Sequence, residues 1–167
     1  MKKKIFLLSI IAVLAFAVMG CDTLVKSGNG GEDIPPSSPY TLTDTSWKLV
    51  AIADITSGTS REPNCGEYMC EVESYTLTFT NDSTAYGKST VNQMFGRYIA
   101  DYRTGTLFWH EAIWTMQGGE MGDGEMYIHA LTGDKSRPFK LYSQELHVFY
   151  NNGKEYMKFN RIEGGRV

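Results

Sequence analysis

Positive charge is scarce in this chain. Its 167 residues carry 16 Lys and Arg against 19 Asp and Glu, a formal net charge of −3. Without Lys2, Lys3 and Lys4 the basic residues fall to 13, leaving a net of −6. That balance argues against nucleic acid as a partner, because phosphate recognition needs a basic footprint. It also leaves no polybasic patch for anionic lipid. Histidine is scarcer still. His110, His129 and His147 are the only three, none at metal-ligand spacing from another, so neither a metal nor a cofactor is expected. No nucleophile elbow and no paired catalytic carboxylates are recognisable, and the chain is expected not to be an enzyme. Gly87-Lys88-Ser89 ends like a phosphate-binding loop, but the Gly required five residues earlier is Asp82, and Asn92 and Gly96 follow instead of a helix. The longest apolar run, Ile5 to Val18, is too short to span roughly 30 Å of hydrocarbon as a helix.

That run follows three lysines and leads into small residues and Cys21, the layout of an exported leader. Val18-Met19-Gly20-Cys21 resembles the lipobox cut by bacterial lipoprotein signal peptidase. The resemblance implies that residues 1–20 are removed and that Cys21 carries a diacylglyceryl group and an N-acyl chain. These would anchor the protein in the bilayer of the cell envelope, with the outer membrane the expected location. At about 0.8 kcal/mol per buried CH₂, two or three chains hold stably where one would not. Residues 22–39 contain Gly28-Asn29-Gly30-Gly31 and Pro35-Pro36-Ser37-Ser38-Pro39 and almost nothing apolar. They are expected to form a tether with an r.m.s. reach of roughly 25 Å. The remaining residues, 40–167, suffice for one domain with one core.

Within that domain, period-two alternation dominates. A first strand is expected over 46–52, with Trp47 and Leu49 on one face. Residues 53–74 show no period and are expected to be a long loop. The segment 75–80 sets Tyr75, Leu77 and Phe79 on one face and three threonines on the other, so one face should be buried and one wet. Strands are further expected over 84–89, 96–102 and from 106 to about 114, joined by short turns in an antiparallel meander. Gly118 to Gly124 breaks the alternation. Asp123 is then a candidate N-cap for a short helix carrying Met126, Tyr127, Ala130 and Leu131, which Gly133-Asp134 would end. The acidic group Glu120, Asp123 and Glu125 does not match the spacing of a known calcium loop and is better explained as a helix start. Strands over 137–142, 145–150 and 155–161 complete the chain. The expected fold is therefore mostly β. About eight antiparallel strands curl into a small barrel or half-barrel with one short helix.

Cys65 and Cys70 lie inside the 53–74 loop. In an exported compartment a structural disulfide is the simplest outcome, and closing so short a loop stabilises by roughly 2 kcal/mol. A redox pair or half a zinc site are the alternatives.

Gly87, Asn92, Gly96 and Tyr98 form the pattern Gly-x-x-x-x-Asn-x-x-x-Gly-x-Tyr. Trp47 precedes it, and Thr115 with Met116, Glu125 with Tyr127 and Leu131, Leu146 with Val148, and Phe159 with Arg161 follow. In that order the chain resembles the META (HslJ-like) family over nearly all of 40–162. The resemblance implies a small β-barrel with a helix. It also implies envelope lipoproteins linked broadly to stress tolerance or antibiotic resistance, with no established reaction. Val91 and Gln117-Gly118 stand where family members commonly carry cysteines. Read from the residues alone, the motif is architectural: Gly87 and Gly96 suit a bulge or a close backbone approach, Asn92 suits a turn, and Tyr98 belongs in the core.

Three Trp, ten Tyr and eight Phe most simply fill the barrel, the alternative being a barrel mouth that holds an apolar ligand. The expected function is thus a non-enzymatic envelope lipoprotein that binds a small ligand or an envelope protein in stress tolerance or homeostasis. The alternative is a protein-interaction or inhibitor module that uses the stapled 53–74 loop.

Overall fold

Alternation of inward and outward side chains builds nine strands and one α-helix in the computed structural model, which describes residues 39–67, 70–132 and 136–163. In chain order they are β1 (Thr45–Asp54), β2 (Thr59–Arg61), β3 (Thr76–Phe79), β4 (Thr84–Lys88), β5 (Gln93–Asp101), β6 (Thr106–Trp114), α1 (Gly124–Thr132), β7 (Arg137–Leu141), β8 (Glu145–Tyr150) and β9 (Glu155–Arg161). The leader, Cys21, the tether up to residue 38 and the Gly133-Asp134 helix stop lie outside the described residues.

Every strand pairing is antiparallel. β1 pairs with β3 along one edge and with β9 along the other, so eight strands close into a barrel and leave no half-barrel opening. Closure follows from the length of β1, whose Thr45–Lys48 stretch meets β3 while Trp47 to Asp54 meets β9. β2 is a ninth strand in residues expected to be loop. It pairs with the far end of β1 from Ile52↔Arg61 to Asp54↔Thr59.

The weakest seam lies between β6 and β7, which share only the pairs Thr106↔Pro138 and Leu107↔Arg137. Helix α1 packs against β6 and β8 near this seam. Arg137 fixes its carboxyl end, donating from Nε to Ala130 O (2.8 Å) and from Nη2 to His129 O (3.1 Å). Such donors satisfy carbonyls that a helix end leaves unpaired.

Side chains fill the barrel. Trp47, Leu49, Leu77, Phe79, Tyr98, Leu107, Trp109, Leu146, Val148, Met157 and Phe159 are all buried, each contributing on the order of 1.5–3 kcal/mol. Phe79 and Tyr98 meet edge to face at 4.7 Å, and Tyr127 of α1 reaches in to Tyr75 (5.4 Å) and Phe159 (6.3 Å). Among the described residues eight aromatic side chains are buried in the core, and Tyr102, Trp114 and Tyr150 pack against it half-buried.

Three local expectations change. β3 starts at Thr76 because Tyr75 has a left-handed backbone (φ 56°). The threonine face of β3 is buried as well: Thr76 lies opposite Lys48, and Thr78 lies between Tyr86 and Ser46, donating to Ser46 Oγ at 3.0 Å. β5 begins at Gln93, three residues before Gly96, because the turn closes at Asn92.

Candidate functional site

The turn between β4 and β5, Ser89 to Asn92, receives the carboxylate of Glu120 from the loop before α1. Ser89 Oγ donates to Glu120 Oε1 at 2.5 Å, Thr90 Oγ1 to Oε2 at 2.7 Å and Asn92 Nδ2 to Oε1 at 2.7 Å. The backbone N–H groups of Asn92 and Val91 add longer bonds at 3.2 and 3.4 Å. Burial raises the Glu120 pKa, but these donors outweigh it and hold the carboxyl below its ordinary value. Asn92, itself buried, works in both directions. Its Nδ2 also donates to Gly118 O (3.0 Å), and its Oδ1 accepts from Gln117 N (2.8 Å). One side chain therefore fixes residues 117–120 to the barrel.

Beside this cluster Asp123 takes both arms of Arg61 at 2.6 and 2.7 Å and the N–H of Asn64 at 2.7 Å. The Asp123 main-chain oxygen accepts from Tyr127 N (2.9 Å), as the start of α1 requires, but its carboxylate faces the 53–74 loop, correcting the side-chain N-cap expectation. The Arg61 guanidinium chiefly, with Asn64 N–H, depresses the Asp123 pKa against burial. Tyr75 completes the contact, donating to Asn64 O (2.5 Å) and accepting from Asp123 N (3.1 Å). Burial pushes its phenol up to about 12. The left-handed backbone at Tyr75 is a costly conformation for an aromatic residue, maintained here by these bonds.

The Cys65–Cys70 disulfide forms as expected, and both limbs of its loop are tied down. Arg61 and Asn64 hold the outgoing limb. Lys48 Nζ holds the returning limb by donating to Glu71 O, Val72 O and Ser74 O, with Lys88 paired to Glu71 at 2.8 Å. The segment expected to be an independent contact element is thus also the cover of this end of the barrel. Val72, 87% exposed, projects from it.

The motif residues take separate positions. A Cβ on Gly87 would stand 2.7 Å from Thr76 O, and one on Gly96 would stand 2.9 Å from Ala112 Cα, where the β5–β6 register shifts between Phe95 and Arg97. Tyr98 is buried and donates to Asn81 O at 2.5 Å. Thr115 Oγ1 accepts from Gln93 N at 3.0 Å. Met116 and Glu125 do not join them. Met116 is 93% exposed, and the Glu125 side chain lies in solvent 3.7 Å from His129. The sequence reading missed Arg61, Tyr75 and the true partners of Glu120. The available signal was the glycine run around Glu120: a Cβ at Gly122 (φ 53°) would lie 2.0 Å from Asn64 O, and one at Gly124 would lie 2.2 Å from Glu120 Oε2.

Among the described residues no three His, Cys, Asp or Glu side chains gather as a metal site. Two clefts open at the opposite end of the barrel, where the chain enters. The larger, about 1050 Å³, is lined by hydroxyl-bearing Ser46, Thr78, Thr80 and Tyr86 together with Gln144 and Arg161. The smaller, about 510 Å³, lies between Pro39-Tyr40, the β5–β6 turn Tyr102 to Gly105 and β7.

The outer face of β5 and β6 is of another kind. Cross-strand rows Phe95↔Ile113, Arg97↔His110 and Ile99↔Phe108 run along it. Phe95, Ile99 and Ile113 are 61–68% exposed, and Phe108 is half-buried. Their inward neighbours Met94 and Tyr98 are buried, so both faces of β5 are apolar at these positions.

These features define a class, a small closed antiparallel barrel of eight strands with one helix at its seam. An NMR structure of a protein from Burkholderia xenovorans shares this fold with a TM-score of 0.54 at 23% identity, covering 83% of this chain and 99% of that one. The crystal structure of a DUF4847 family protein from Bacteroides vulgatus ATCC 8482 gives a TM-score of 0.50 at 17% identity over 69% of this chain and 90% of its own. At these identities the likeness is one of fold. No family model and no curated protein matches the sequence.

Proposed function

We propose that this chain is a META-like envelope lipoprotein, anchored through acylated Cys21, whose barrel is a non-enzymatic binding module in envelope stress tolerance or homeostasis. The carrying observation is how the molecule distributes its chemistry. Asn92 satisfies Glu120, Asp123 is held by Arg61 and Asn64, and the barrel centre is packed with aromatic and aliphatic side chains. Binding capacity then falls to the surface, where Phe95, Ile99 and Ile113 are exposed on either side of the Arg97↔His110 row of the outer β5–β6 face. Intact-mass measurement of the protein extracted from its own envelope tests this reading. The expected mass is that of residues 21–167 plus thioether-linked and amide-linked acyl groups, less two hydrogens for the disulfide. An unacylated secreted chain would contradict it.

A second reading is favoured by the stapled loop, in which Val72 projects from a segment held rigid at both limbs. As an inhibitor or interaction element it would lose its partner on Val72→Ser without loss of stability. Deleting residues 53–74 is the wrong test, because it also removes Arg61 and Asn64 from the barrel end.

A further inference from the structure

The larger of the two clefts, about 1050 Å³, collects side chains that the rest of the molecule leaves unused. Ser46 on β1, Thr78 on β3 and Tyr86 on β4 lie opposite one another in a single cross-strand row on the outside of the barrel. Neighbouring strands stand about 4.8 Å apart, so the row is roughly 10 Å long. The end of β9 supplies the far wall. Arg161 N donates to Gln144 O at 3.0 Å and Ile162 N to Ser46 O at 2.8 Å, which holds the Gln144 and Arg161 side chains beside the row. Ser46 and Thr78 are only 5% and 8% exposed, and Thr78 Oγ1 donates to Ser46 Oγ at 3.0 Å, leaving the Ser46 hydroxyl its own proton to donate. Tyr86 is half-buried, whereas Gln144 and Arg161 are exposed. Among the described residues no side-chain hydrogen bond or ion pair engages Tyr86, Gln144 or Arg161.

The lining selects a ligand by polarity and by charge. Buried neutral hydroxyls would lose their hydrogen bonds to water under an apolar ligand and gain nothing in return. An anionic ligand would meet one cation, Arg161, against the exposed carboxylates of Asp44 and Glu163 on the same rim. A neutral molecule dense in hydroxyl groups suits both conditions. Serine and threonine hydroxyls and the glutamine amide donate and accept, and a guanidinium presents a fork of donors, so the set matches the neighbouring hydroxyls of a sugar. The tyrosine ring adds an apolar plane with a polar tip, the complement of the C–H face of a pyranose. The volume stands at the top of the range of small-molecule sites, about 300–1,000 Å³, and exceeds what one sugar ring needs. We infer that this cleft binds a neutral oligosaccharide, with Tyr86 against the face of one ring and Ser46, Thr78, Gln144 and Arg161 bonded to its hydroxyls. The cleft belongs to the barrel itself, so sugar binding is independent of acylation at Cys21 and of the outer β5–β6 face.

Amide chemical-shift mapping of the full chain, titrated with cellotetraose, chitotetraose and maltotetraose, tests it. The expected result is saturable shifts with at least one tetrasaccharide, centred on Thr78, Tyr86, Gln144 and Arg161. Affinity should fall by about tenfold or more in Tyr86→Ala and in Gln144→Ala. Gln144 is an exposed turn residue, so its variant keeps the fold and separates a lost contact from lost structure. Absence of shifts with all three sugars at millimolar concentration would overturn the inference, as would shifts confined to other faces of the barrel or affinity unchanged in both variants. Shifts at Arg161 with inorganic phosphate, without a response to any sugar, would make the cleft an anion site and equally overturn it.

Discussion

The loop-covered end of the barrel and the outer face of its β5–β6 hairpin share a strand yet handle side chains in opposite ways. At the covered end almost every polar atom has a partner from a distant segment: Glu120 with Ser89, Thr90 and Asn92, and Asp123 with Arg61 and Asn64. On the β5–β6 face, Phe95, Ile99 and Ile113 are 61–68% exposed. The first arrangement stores its interactions inside the molecule and is what stability requires. The second leaves interaction capacity outward, and a folded monomer gains nothing from it. The difference separates the motif, which is architecture, from the surface available for binding.

Substitutions at the covered end should therefore damage the fold, and the sharpest is Gly122→Ala. Its Cβ would meet Asn64 O in a left-handed backbone, so a loss of about 3 kcal/mol is expected in urea unfolding. Residues 53–74 should become protease-sensitive at the same time. Replacing both Cys65 and Cys70 with Ser should cost roughly 2 kcal/mol, with the barrel's circular dichroism retained. A cost near zero would show that Arg61, Lys48 and Lys88 alone order the loop. The smallest effect expected is one of pH. Glu120 and Asp123 have folded pKa values below their ordinary 4.5 and 3.8, so the folded state disfavours their protonation. Their contribution is fully present above about pH 4.5 and should be lost as pH falls through the depressed values. Glu120→Gln should flatten the acid limb of a stability–pH curve, and an unchanged limb would mean that other carboxylates govern it.

Much of this arrangement was legible in the sequence, and where it was not the reasons are physical. Alternation over 75–80 and 96–102 and the short turns point to the antiparallel meander, and Gly87, Asn92, Gly96 and Tyr98 read as architecture. Alternation does not announce which side of β5 is the core when Phe95 and Ile99 are as apolar as Met94 and Tyr98, so the exposed strip was invisible. Tyr75 was put in phase with Leu77 and Phe79. Its left-handed backbone interrupts the strand, and such an interruption is determined by contacts with Asn64 and Asp123 rather than by local preference. Arg61 and Asp123 lie 62 positions apart, and no local period links them. The glycines around Glu120 signalled turns correctly, but their close approach to Asn64 and Glu120 appears only once the two loops meet.

The most direct test sets one residue of each region side by side, comparing urea unfolding of Asn92→Ala with that of Phe95→Ser. Asn92→Ala removes donors to Gly118 O and Glu120 and an acceptor for Gln117 N in a buried position. The account predicts a loss of roughly 3 kcal/mol for Asn92→Ala and a change within about 0.5 kcal/mol for Phe95→Ser. A stable Asn92→Ala protein alongside a strongly destabilised Phe95→Ser protein would contradict it, making the motif a free binding site and the outer face part of the fold.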